Sequence, residues 1–156
     1  MSLSTTFKPT PISILKNLIQ TLHDGQEGFK KASENVKEHH LKTLFSQFSL
    51  QRSKFAGDLE RELSTLGEAD PQKEGSTVSG TIHRGWIDLK SALTGHDAHS
   101  ILSEAERGED IAVKAFRDAL ASEDLPANLR EIITSQANEV QAVHNKVREL
   151  RDATAK

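Results

Sequence analysis

The chain contains no cysteine, so neither a disulfide frame nor a thiolate metal site is open to it. Tyrosine is also missing, and tryptophan occurs once. No apolar run approaches the ~20 residues that span a bilayer. The opening stretch, MSLSTTFKPT, has no apolar core of the kind that marks a signal peptide. A cytoplasmic location, without a membrane partner, is the expectation. Basic residues do not cluster: 20 Lys and Arg stand against 23 Asp and Glu, for a net charge of −3 over 156 residues. Phosphate binding needs cations gathered on one face, so nucleic acid is not expected either. No Ser-His-Asp set, Gly-rich phosphate loop or zinc-protease motif is present, and no catalytic residue is assigned.

What the chain does have is helical periodicity. Leu15, Leu18, Leu22, Gly25, Phe29, Ala32 and Val36 repeat in steps of three and four behind a Thr10-Pro11 opening. The phase breaks near Lys37-Glu38-His39. A second seam, Leu41, Phe45, Phe48, Arg52, Phe55, Leu59, Leu63 and Leu66, stops at Gly67. After a turn-rich loop, a shorter helix is expected from about Thr77 to Leu93, closed by Thr94-Gly95. Asp97 caps a third long seam through Leu102, Ala105, Glu109, Ala112, Phe116 and Ala119. Asp124 and Pro126 open the last, through Leu129, Ile133, Gln136, Val140, Val143, Val147 and Leu150. Strand-like alternation is absent, and the fold class is all-α.

Connectivity follows from lengths. Tight turns join the first two long helices and the last two, so each pair is antiparallel. A helix of about 25 residues is about 38 Å long, and the segment 67–97 is long enough to run back along it. This is the plan of a ferritin-like four-helix bundle, with one long crossover carrying an additional short helix. The chain divides into a loose N-terminus (1–10), a single domain (11–152) with its crossover segment (67–97), and a short tail (153–156).

Each long seam carries a member that does not belong, near its midpoint: Gly25 flanked by Gln26, Arg52 flanked by Gln51, Glu109, and Gln136. Midpoints share one height whichever way the helices point, so these residues form a layer halfway up the bundle. An unpaired buried charge costs several kcal/mol. Arg52 is therefore the natural partner of Glu109, with Gln26, Gln51 and Gln136 completing a buried polar network. On this reading no metal or cofactor is needed. The alternative is an iron or manganese site. Di-iron bundles aim a Glu from each of two helices and a Glu-x-x-His from each of the other two at one centre. Only Glu109 fits that pattern, and a metal would have to recruit Gln26 and Gln136 with it, together with Glu139 or His144.

The segments LIQTLHDGQEGF, FSQFSLQRSKFAGDL, HRGWIDLKSALTG and SEAERGEDIAVKAF resemble a bacterial family of ferritin-like four-helix-bundle proteins catalogued as a domain of unknown function. The resemblance spans about residues 11–152 and implies a ferritin-like fold and bacterial origin, with no established activity. Relative to the more distant di-iron proteins, Glu109 matches a third-helix carboxylate and Gln26 stands where a first-helix Glu is expected. The reading adopted is a non-catalytic bundle whose ancestral metal layer has become a structural network, with an interaction or stress-related role.

Other groupings have plainer readings. His39-His40 and the cluster of His96, Asp97 and His99 fall at helix ends and read as solvated caps. Glu104, Glu106, Arg107 and Asp110 read as an outward charged face by helical phase. Trp86 reads as an anchor clamping the crossover to the bundle, or else as a hot spot for self-association or an unknown protein partner. Gly85 and Gly108, costly inside helices, suggest close approach of another backbone.

Overall fold

Thr10 opens the first helix, α1 (Pro11–Asn35), with a reciprocal cap. Its hydroxyl accepts from the Ser13 N–H at 3.1 Å, while the Ser13 hydroxyl accepts from the Thr10 N–H at 2.9 Å. The helix ends without glycine. Val36 turns into extended backbone, buries its side chain, and donates its N–H to the Ala32 carbonyl. The second helix, α2 (His39–Thr65), starts directly afterwards and stops before Gly67, whose φ of 84° lies in the left-handed region that glycine enters at little cost. This computed structural model describes residues 10–67, 86 and 88–154. Three further helices complete it: α3 (Leu89–Thr94), α4 (Ala98–Leu120) and α5 (Ala127–Thr154). Among the described residues there is no strand, and no helix is long and apolar enough to cross a membrane.

Side-chain pairs fix the directions. Ser49 donates to the Gln26 carbonyl and His23 faces Glu60, so α1 and α2 are antiparallel. His144 meets Asp110 and Arg151 meets Glu106, so α4 and α5 are too. Gly28 and Gly108 flank one tryptophan, and the Asn35 carbonyl lies against the His96 ring, which makes α1 and α4 antiparallel. Gln136 donates to the Phe55 carbonyl from α5 to α2. The long helices therefore run up, down, down, up. The end of α2 thus lies beside the start of α1, and the start of α4 beside its end, at opposite ends of the molecule.

Two apolar clusters fill the interior. One gathers Leu15, Leu18, Leu22, Leu59, Phe116 and Ile133; the other gathers Phe29, Phe45, Phe48, Trp86, Leu102 and Val147. Each fully buried leucine or phenylalanine contributes about 1.5–3 kcal/mol. On α1, α2 and α4 the change from one cluster to the other falls around Gly25, Arg52 and Glu109; on α5 it falls between Val140 and Val143, a turn beyond Gln136. The turn between α4 and α5 is closed by Arg130, which donates to the Leu120 and Ser122 carbonyls at 2.7 and 2.5 Å.

The short helix covers Leu89–Thr94 among the described residues, with Trp86 and Asp88 outside the helix; residues 77–85 and 87 of the expected helix lie outside the described residues. Gly95 caps its end, as expected, in a right-handed conformation, and the left-handed residue is the next one, His96 at φ 54°. The His96 ring Nδ1 donates to the Asn35 carbonyl at 2.8 Å, a bond that holds a side-chain-bearing residue in a conformation usually left to glycine.

Candidate functional site

The middle layer is built around one guanidinium. Arg52 projects from the midpoint of α2, and its Nη1 and Nη2 donate to the two carboxylate oxygens of Glu109 on α4, at 2.7 and 2.6 Å. Both side chains are 0% exposed. This fork-to-fork geometry is the strongest form of ion pair, and it leaves neither charge uncompensated in an apolar interior. The remaining contacts of Arg52 are equally specific. Its Nε donates to Gln51 at 3.3 Å, and its Cζ lies 5.4 Å from the Phe29 ring centroid. Gly25 makes room: a Cβ there would sit 3.2 Å from Nη1.

The glutamines behave differently from one another. Gln51 joins the pair. Gln136 is buried beside it but donates to the Phe55 carbonyl at 3.3 Å, and its Oε1 is buried with no hydrogen-bond partner. Gln26 turns away, accepting at 3.3 Å from His23, whose other ring nitrogen meets Glu60. The five-residue network expected from the seams is therefore three residues, with Gln136 adjacent and Gln26 outside. The reason is local: Gln26 is one position off the buried seam, and His23, three residues earlier, offers it a partner on the rim.

These residues do not fit a di-metal centre. Both oxygens of Glu109 are committed to a guanidinium, whose charge repels any cation brought beside it. Glu139 is exposed, and His144 pairs with Asp110 at 2.6 Å. Glu109, Gln26, Gln136, Glu139 and His144 are thus not brought to one point.

Trp86 is 2% exposed, and its indole is wedged between two glycines. A Cβ at Gly28 or at Gly108 would fall 2.4 Å from ring atoms. The ring also stands edge-on to Phe29 at 5.1 Å. A side chain so enclosed has no surface to offer a partner, which corrects its reading as an interaction hot spot. Gly85 lies outside the described residues; Gly28, unnoticed in the sequence, is the second wall. Its only signal was a glycine in a helix interior without an evident reason.

The charged face of α4 also needs correction. Glu104 is buried, not solvated. It accepts from the Asp88 N–H at 2.9 Å and from Arg107 at 2.6 Å, fastening the start of α3 to α4. The hydrogen bond that Arg107 donates to Glu104 is the main reason the Arg107 pKa is raised. Glu106 is half-buried against Arg151, and Asp110 reaches His144. Helical phase put all four outside, which holds for exposed Asp110 and for Arg107; Glu104 is taken in by its bonds to Asp88 and Arg107, and Glu106 by Arg151 of α5. His99 contacts the Thr154 hydroxyl, His39 and His40 are exposed, and Asp97 caps α4 by accepting from the Ser100 N–H at 2.9 Å.

Compared with the curated proteins, the chain finds no match. A family model does match, over residues 10–122, a span that includes both Arg52 and Glu109 and ends before α5. On that match, the chain belongs to the family described as Domain of unknown function (DUF2383).

Proposed function

We propose that this protein is a non-catalytic, ferritin-like helical bundle whose mid-height layer is a structural ion pair in place of a metal centre. Its role is that of a scaffold for protein interaction, of the kind used in stress responses, in the cytoplasm of a bacterium. The up-down-down-up order with one long return supports the ferritin-like reading, since that is the one-crossover arrangement of such bundles. One observation carries the non-catalytic reading: the bidentate, fully buried Arg52–Glu109 pair. A guanidinium in the middle of the layer takes up the carboxylate that a redox metal would need, and hard cations are held by several anionic ligands together.

The test is elemental analysis of protein purified without chelator from iron- and manganese-supplemented cells, in wild type and Glu109→Ala. We expect metal content that does not depend on Glu109, and no acceleration of aerobic Fe²⁺ oxidation over buffer. Near-stoichiometric iron or manganese that disappears in Glu109→Ala would establish the alternative, an iron-handling protein with an unusual ligand set.

A further inference from the structure

On the flank of the bundle, away from the ion pair, three metal-ligating side chains converge. Glu106 and Asp110 stand one turn apart on α4, and His144 faces them from α5. One ligand atom from each lies within 4.8 Å of the others. His144 is not a surface histidine: its side chain is 10% exposed and its Nε2 is aimed at Asp110 Oδ1, 2.6 Å away, while Asp110 is 61% exposed. The site thus has a fixed nitrogen at its floor and a carboxylate at its mouth.

We propose that Glu106, Asp110 and His144 bind one divalent transition-metal ion, of the zinc or manganese class, that ties α4 to α5. The donor set is one imidazole nitrogen and two carboxylates. Imidazole disfavours calcium and magnesium, and the lack of sulfur disfavours copper(I). Three protein ligands leave room for water in the coordination shell.

A second observation points the same way. For Nε2 to ligate, the ring proton must sit on Nδ1 and be held there. Nδ1 lies 3.4 Å from Asn145 Oδ1, and that oxygen is itself oriented by Gln141 Nε2 at 3.0 Å. A carbonyl oxygen behind the ligating imidazole is the usual outer support of a metal-bound histidine. The distances also suit. Ligands about 2.0–2.2 Å from a tetrahedral ion stand roughly 3.4 Å apart. The His144–Asp110 pair has to open slightly and Glu106 has to close in. Both carboxylates are on flexible side chains, so neither movement disturbs the core.

Arg151 is the competitor, since it pairs with Glu106. It has an alternative: its Nη2 also donates to Asp152 at 2.8 Å, and that hydrogen bond is the largest cause of its raised pKa. A divalent ion brings more charge to Glu106 than one guanidinium and displaces it toward Asp152.

The experiment is calorimetric titration of chelator-treated, untagged full-length protein with ZnCl₂ and with MnCl₂, with helicity checked by circular dichroism. One ion per chain is expected, lost in Asp110→Asn and in His144→Gln. Asn145→Ala should weaken binding about tenfold or more by removing the outer support. Arg151→Gln should tighten it. Glu109→Ala should leave it in place, so failure here and failure of the structural ion-pair reading are separate outcomes. Absence of binding overturns the proposal. So does binding that survives Asp110→Asn and follows His40→Ala or His99→Ala instead, and so does an affinity that Arg151→Gln does not raise.

Discussion

At the residue scale the molecule turns on Arg52. Its partner is its justification: a guanidinium at 0% exposure is tolerable because two short bonds to Glu109 compensate its charge. Truncating the carboxylate in Glu109→Ala strands that charge, and we expect a loss of about 3–5 kcal/mol in urea unfolding. Replacing both partners, as Arg52→Met with Glu109→Leu, should restore most of that loss, because desolvating an ion pair gains little over well-packed apolar side chains. A double variant as unstable as Glu109→Ala would show that packing around Gly25 and Phe29, and not charge, sets the requirement. Arg52 and Glu109 were legible in the sequence because each interrupts an otherwise apolar seam. Gln26 was misplaced because a flanking position says nothing about which neighbour, His23 or Arg52, the side chain will choose.

Helix by helix, the contact between crossover and bundle is set by absent side chains. Gly28 and Gly108 lose helix propensity worth about 1 kcal/mol each, and that loss makes room for the indole of Trp86. Gly108→Ala would regain the propensity but place a methyl 2.4 Å from the ring. Overpacking costs about 1–3 kcal/mol, so the net effect should be destabilising, with the Trp86 emission shifted to longer wavelength as the ring leaves its slot. Gly57→Ala is the control. The nearest atom to a Cβ there is the end of Arg61 at 3.9 Å, so that variant should be neutral or up to about 1 kcal/mol more stable. With one tryptophan and no tyrosine, the fluorescence reads this single contact.

A pH effect belongs to the same scale. At the start of α4 the Ser100 N–H and hydroxyl both donate to Asp97, lowering its pKa below the ordinary 3.8. A carboxyl more acidic in the folded chain stabilises it above its unfolded pKa and loses that contribution as pH falls through the lower folded value. The stability advantage of wild type over Asp97→Ala should therefore shrink as pH is lowered from about 5 to about 2, as seen in thermal melts at each pH. An advantage that persists unchanged in acid would mean the cap acts without its charge.

Over the whole molecule, two apolar clusters meet across one polar layer, and Trp86 joins the crossover to α1 and α4 in the same place. The clusters share all four long helices, so neither can melt alone. Urea transitions followed by tryptophan emission and by far-ultraviolet circular dichroism should coincide. A tryptophan transition at lower urea would mean that the crossover undocks before the bundle unfolds.

The sequence by itself determined the helices and their order, because apolar periodicity, caps and breakers are local and act along the chain. It also determined that Arg52, Glu109 and Gln136 had to be buried, since a polar group inside an apolar stripe has nowhere else to go. Only the tertiary structure decided who meets whom across the helices. Glu104 under the crossover, Gly28 against Trp86, and Glu106, Asp110 and His144 on one flank all depend on rotation and height between helices. Those quantities come from packing two surfaces together, and no spacing within a single helix encodes them.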